Sequence, residues 1–72
     1  MKLDDKTKKE IGKRFRESRE QKNLTQSDVA KKASLSTGYY ARIERGMEQP
    51  ALHTLKALVE VLNVKAGDIL PF

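Results

Sequence analysis

The chain has 72 residues, no cysteine, and fifteen Lys and Arg against ten Asp and Glu, a net charge of +5. That length suits one small domain, held together by helix packing because neither disulfides nor thiolate metal sites are available. No apolar run approaches the ~20 residues of a membrane helix, and the start, MKLDDKTKKE, is charged rather than built as a signal peptide, so a soluble cytoplasmic protein is expected.

Alternation of β-branched residues never persists, and helix punctuation recurs along the chain, so the expected fold is all-α with five helices in a single domain over residues 1–72. Residues 1–5 are expected to form a flexible start. The first helix is predicted from about Asp5 to Lys22. Ile11, Phe15 and Ser18 share one side, Gly12 is an interior weakness, and Asn23 ends the helix in the left-handed conformation that Asn tolerates. The second follows Thr25, an N-cap type, with Asp28 three residues on in the acidic slot of a capping box. It runs QSDVAKKA and gives Val29, Ala30 and Ala33 to a core. The third follows Ser36 and reaches Arg45 before Gly46 stops it. The fourth begins after Pro50 and runs ALHTLKALVEVLN, with Leu52, Leu55, Leu58, Val59 and Leu62 as its apolar face. The fifth is one or two turns at KAGDIL, before Pro71.

Charge is unevenly spread. Residues 2–22 hold nine basic and five acidic residues, and residues 31–46 hold Lys31, Lys32, Arg42 and Arg45 against Glu44 alone. Beyond residue 46 the balance turns slightly acidic, so a polyanion is expected to meet the N-terminal two-thirds.

The third helix sorts this charge by face. At 100° per residue, Thr37, Gly38, Ala41, Arg42 and Arg45 fall on one side, and Tyr39, Tyr40 and Ile43 on the other, with Glu44 at the border. A helix entering the DNA major groove needs this division. Small residues let its backbone approach the bases, a long Arg reaches guanine, and further cations meet phosphates. Taken alone, the same division also describes an ordinary amphipathic surface helix.

The neighbouring elements favour the first reading. A helix starting at Thr25-Gln26, a turn over 34–36 and a second helix with small residues at its start make a helix-turn-helix pattern. With IGKRFRESRE, LTQSDVAKKA, YYARIERG and the spacing of Pro50, Leu52 and Leu55, the sequence resembles the lambda-repressor and Cro-like (XRE family) domains from about Ile11 to Leu70. The resemblance implies a compact five-helix domain that binds double-stranded DNA. It places Ser36, Thr37, Gly38 and Arg42 at base-facing positions, and Gln26 and Arg45 at phosphate-contacting ones. It also makes Arg19 and Glu44 a largely buried ion pair between the first and third helices. Lys31 and Tyr39 are further candidates for phosphate contact. Tyr40 stands where the family usually has Ile or Val, and its hydroxyl is expected to reach the surface. Ser34 stands where glycine is common, at the cost of some strain.

Val61, off the main apolar face, and Ile69, Leu70 and Phe72 in the apolar tail suggest a homodimer seam reading two half-sites of a palindromic operator, although local capping of a thin core is the plainer use. His53 has no second ligand at metal spacing, and no nucleophile–base pair or phosphate loop is visible. The expectation is a transcriptional regulator acting by promoter occupancy, without enzymatic activity, cofactor, small-molecule substrate or membrane partner. Its rivals are a protein-interaction module on the same fold (antitoxin, antirepressor or adaptor) and a non-specific coat on nucleic acid.

Overall fold

The computed structural model describes residues 2–72, and Met1, part of the expected flexible start, lies outside them. The described residues form five helices and no strand: α1 Asp5–Gln21, α2 Gln26–Lys32, α3 Thr37–Glu44, α4 Leu52–Leu62 and α5 Ala66–Ile69.

Each of the first three helices starts on a side-chain cap. Asp4 accepts from the Thr7 amide at 2.7 Å. Thr25 accepts from the Asp28 amide at 3.0 Å while the Asp28 carboxylate accepts from the Thr25 amide at 2.9 Å. Ser36 accepts from the Tyr39 amide at 3.1 Å. These bonds satisfy amide donors that the first turn leaves without partners. The Leu3 amide donates to the Gln49 side chain at 2.6 Å, and the Leu3 side chain packs against the core.

The first four helices stop in one way. Asn23, Ser34, Gly46 and Asn63 all have positive φ, between 53° and 75°. In each case the following amide closes back on the helix: Leu24 on Arg19, Leu35 on Ala30, Met47 on Arg42 and Val64 on Val59. Three stops keep a side chain because they are exposed. Gly46 is buried against α1, where an added Cβ would lie 2.6 Å from Lys9 Cγ and 2.7 Å from Lys9 Cα. Sterics and backbone conformation both require glycine there.

The core is Ile11, Phe15, Val29, Ala30, Tyr40, Ile43, Leu58, Leu62 and Ile69. Three expectations change. Leu52, placed on the apolar face of α4, is 82% exposed, and Thr54 is buried instead. The inward stripe of α4 is Thr54, Leu58 and Leu62, so the helix is rotated from the face its leucines describe, and its first residue overhangs solvent. Tyr40 does not reach the surface; ring and hydroxyl are fully buried. Ile69, offered to a dimer seam, is also fully buried, because α5 packs it inward towards α1 and α4. The apolar side of so short a helix is used up within the domain.

The third helix packs on both α1 and α2. Its approach to α1 is close enough to exclude a side chain at Gly12, where a Cβ would sit 2.7 Å from the Glu44 carbonyl carbon and nearer still to the Ile43 and Glu44 oxygens. The residue that reads in sequence as a weak point in α1 is where α1 and α3 meet backbone to backbone.

Candidate nucleic-acid interface

The outward face of α3 is built by its cap and its period. Ser36, Thr37, Gly38 and Arg45 are exposed, and Arg42 is partly so. Tyr40, Ile43 and Glu44 are buried on the opposite side. Eight residues give a helix of about 12 Å, enough to span several base pairs along a major groove.

Behind this face lies a polar clamp. Arg19 Nε donates to Glu44 Oε2 at 2.7 Å, and Arg19 Nη2 donates to Glu44 Oε1 at 3.0 Å. This two-pronged pair is the strong form of an arginine–carboxylate contact. The Glu44 side chain is 2% exposed and that of Arg19 13%. Arg19 Nη1 also donates to the Leu24 carbonyl at 2.9 Å, and Gln26 Nε2 donates to Glu44 Oε1 at 3.0 Å. One carboxylate thus joins α1, α2 and α3. Burial pushes the Glu44 carboxyl up, but the bonds from Arg19 and Gln26 outweigh it and hold the group below its ordinary value. The bond to Glu44 in turn raises the Arg19 guanidinium above its own. The Tyr40 hydroxyl is buried beside this clamp; burial, then the nearby Glu44 carboxylate, raise it far above the ordinary phenol value.

The remaining candidates fall into place around α3. Gln26 is half-buried with one amide proton committed to Glu44, which leaves the second available to donate elsewhere. Lys31 is exposed on the last turn of α2. Arg45 is exposed as the C-cap of α3. Ser36 accepts a bond as a cap, with its hydroxyl proton free to donate. Tyr39 is half-buried, and its ring lies 5.8 Å from Arg42 Cζ. Sequence reasoning missed Glu48, whose Oε1 accepts from Arg42 Nε at 3.1 Å. Glu48 follows the Gly46 stop, outside every helix, where periodicity gives no signal.

The tail splits. Ile69 is buried, Val61 and Leu70 are partly buried against the core, and Phe72 is 79% exposed. An apolar groove of about 740 Å³ runs between α4 and α5, lined by Leu52, Leu55, Val59 and Leu70 among others. Among the described residues no helix is long and apolar enough to cross a membrane, and no cluster of His, Asp and Glu could hold a metal ion.

Comparison with known proteins agrees with this architecture. The chain is 39% identical over 59 residues to the immunity repressor protein of Bacillus phage phi105, a match covering 82% of this chain and 41% of that protein. The chain therefore spans about two-fifths of that relative's length. The solved restriction-modification controller protein C.AhdI of Aeromonas hydrophila superposes with a TM-score of 0.83 at 27% identity, over 86% of this chain and 94% of that one. SinR, a master regulator of biofilm formation solved in complex with DNA, superposes with a TM-score of 0.75 at 31% identity, over 79% and 92%. The helix-turn-helix family profile matches residues 15–69, and the chain belongs to that family.

Proposed function

We propose that this chain is a sequence-specific, double-stranded DNA-binding regulator of transcription that represses by occupying a promoter as a dimer on a palindromic operator. The observation that carries the reading is the division of α3. A small, cationic face points outward while the Arg19–Glu44–Gln26 clamp fixes the helix from behind. A helix mobile relative to its domain could not hold a register against base edges. In this reading Arg42, with Ser36 and Thr37, reads bases, and Gly38 lets the backbone approach them. Gln26, Lys31, Tyr39 and Arg45 hold phosphates. The solved relative captured on DNA supports the assignment.

Selection of bound fragments from a randomised duplex pool tests it. Recovery of a palindromic motif supports a specific regulator, and retention without enrichment would show a coating protein instead. Arg42→Ala is expected to cost about 1–3 kcal/mol on the selected duplex and relax preference at one base position. Arg45→Ala is expected to weaken binding to all sequences alike and to lower the salt slope by about one.

The second reading is a protein-interaction module. It draws on the apolar α4–α5 groove and on a neighbour of 31% identity, TM-score 0.80, solved as a SinR–SinI complex. Absence of any DNA recovery from the pool would favour it. The cationic outer face of α3 weighs towards DNA.

A further inference from the structure

The side chain of Arg42 is not free in solution. It sits in a seat with three sides, two from the preceding turn of α3 itself and one from the segment that follows the helix. Its Nε donates to Glu48 Oε1 at 3.1 Å. Its Cζ lies 5.8 Å from the centre of the Tyr39 ring, within the reach of a cation–π contact. Its Nη1 passes 3.8 Å from the point where a Cβ would stand on Gly38. Helical side chains lean towards the N-terminus over the preceding turn, and here the i−4 position of that turn, Gly38, carries no side chain. The guanidinium therefore lies over the N-terminal half of α3, the part that meets base edges in this docking geometry.

The pairing at Nε decides which donors remain. None of the hydrogen bonds among the described residues uses the two Nη groups of Arg42. They form a planar fork suited to guanine O6 and N7. The Arg42 and Glu48 side chains are 43% and 37% exposed, so the pair contributes little to folding stability. A carboxylate at this position also faces the phosphate backbone and opposes binding in general. Its effects on specific and on general binding are therefore opposite in sign.

We propose that Glu48 is a specificity-determining positioning residue: its carboxylate holds Nε of Arg42, against Tyr39 and over Gly38, so that the guanidinium meets DNA already aimed as a two-pronged donor for one guanine. This rests on the DNA-reading function proposed above. It also gives Gly38 a use that needs no base contact of its own, since an added Cβ there would already touch Arg42 Nη1 at 3.8 Å and anything longer would share the fork's space.

The test uses duplexes selected by the wild-type chain from a randomised pool. Equilibrium binding is then measured for wild type, Arg42→Ala, Glu48→Ala and Glu48→Gln. The probes are the selected duplex, the same duplex with the Arg42-dependent base pair exchanged, and a mixed-sequence duplex. Glu48→Ala is expected to bind the mixed duplex more tightly, yet to lose roughly threefold to tenfold of the discrimination at that pair, part of what a bidentate contact supplies. Glu48→Gln keeps an acceptor for Nε and should retain most of the discrimination. If Glu48→Ala instead tightens binding to all three duplexes by one common factor, Glu48 is a plain repulsive charge and the proposal is overturned. A motif that relaxes in Arg42→Ala but not in Glu48→Ala overturns the proposal while leaving the DNA-reading function intact. A wild-type chain that selects nothing removes both.

Discussion

The acid between two arginines on α3 shows how one residue can serve the interior and the surface together. Glu44 points away from Arg42 and Arg45, and its two oxygens take three donors from Arg19 and Gln26. Replacing it with alanine leaves the Arg19 guanidinium buried without its counter-charge. Breaking such a pair from one side typically costs ~3–5 kcal/mol. Glu44→Ala is therefore expected to lower stability by more than about 2 kcal/mol, a large share of what a domain this small has. An unchanged melting temperature would show that the pair is dispensable. The contribution also depends on pH. The folded-state pKa of Glu44 lies below its ordinary 4.5, so the folded protein binds this proton less readily than the unfolded chain. The stabilisation is then complete above about 4.5 and is lost as pH falls through the depressed folded-state value. Denaturant melts of wild type and Glu44→Gln across that acid range should converge as pH falls.

Among the elements, the α1–α3 contact is the most demanding. Gly12→Ala improves helix propensity by up to about 1 kcal/mol. It also drives a methyl group into the backbone of Ile43 and Glu44, which cannot swing aside as a side chain would. The net effect expected is a loss of about 1–3 kcal/mol, the usual range for overpacking, seen as a lower denaturant midpoint with unchanged slope. A gain in stability would mean that the two helices can separate freely. The helices themselves were legible in the sequence, because their caps and left-handed stops are local chemistry: Thr25 with Asp28, Asn23, Gly46 and Asn63 need no tertiary context. The rotation of α4 was not legible. Leu52 and Thr54 are both consistent with a helix, and only packing decides which turns inward. Gly12 and Glu48 escaped for a similar reason. Their partners, the α3 backbone and Arg42, come near only in the folded chain. The tie of Arg19 to Glu44, twenty-five residues away, entered through a family resemblance and not through periodicity.

For the whole molecule, the apolar side remote from α3 is where a second copy would pack. The original seam loses Ile69 to the core, and Val61 and Leu70 keep only part of their surface. Leu52 and Phe72, at 82% and 79% exposure, are large apolar groups left in water, with the groove between α4 and α5 close to Leu52. If a second copy covers this region, a Leu52→Asp, Phe72→Asp double variant should sediment as a monomer at concentrations where wild type self-associates, with little change in its melting curve. Wild type that remains a monomer at high concentration would confine any pairing to the DNA-bound state.

The absent side chain at Gly12 has a consequence beyond stability. It lies on the buried side of α3, opposite Arg42, and sets how deeply α3 is seated in the domain. A bulkier residue there would press α3 away from α1 and shift Arg42 relative to α1. On the DNA-reading function proposed above, that shift would change how far Arg42 reaches towards a base pair. The depth at which this chain would read a base pair is thus gauged from its back, by an atom that is not there.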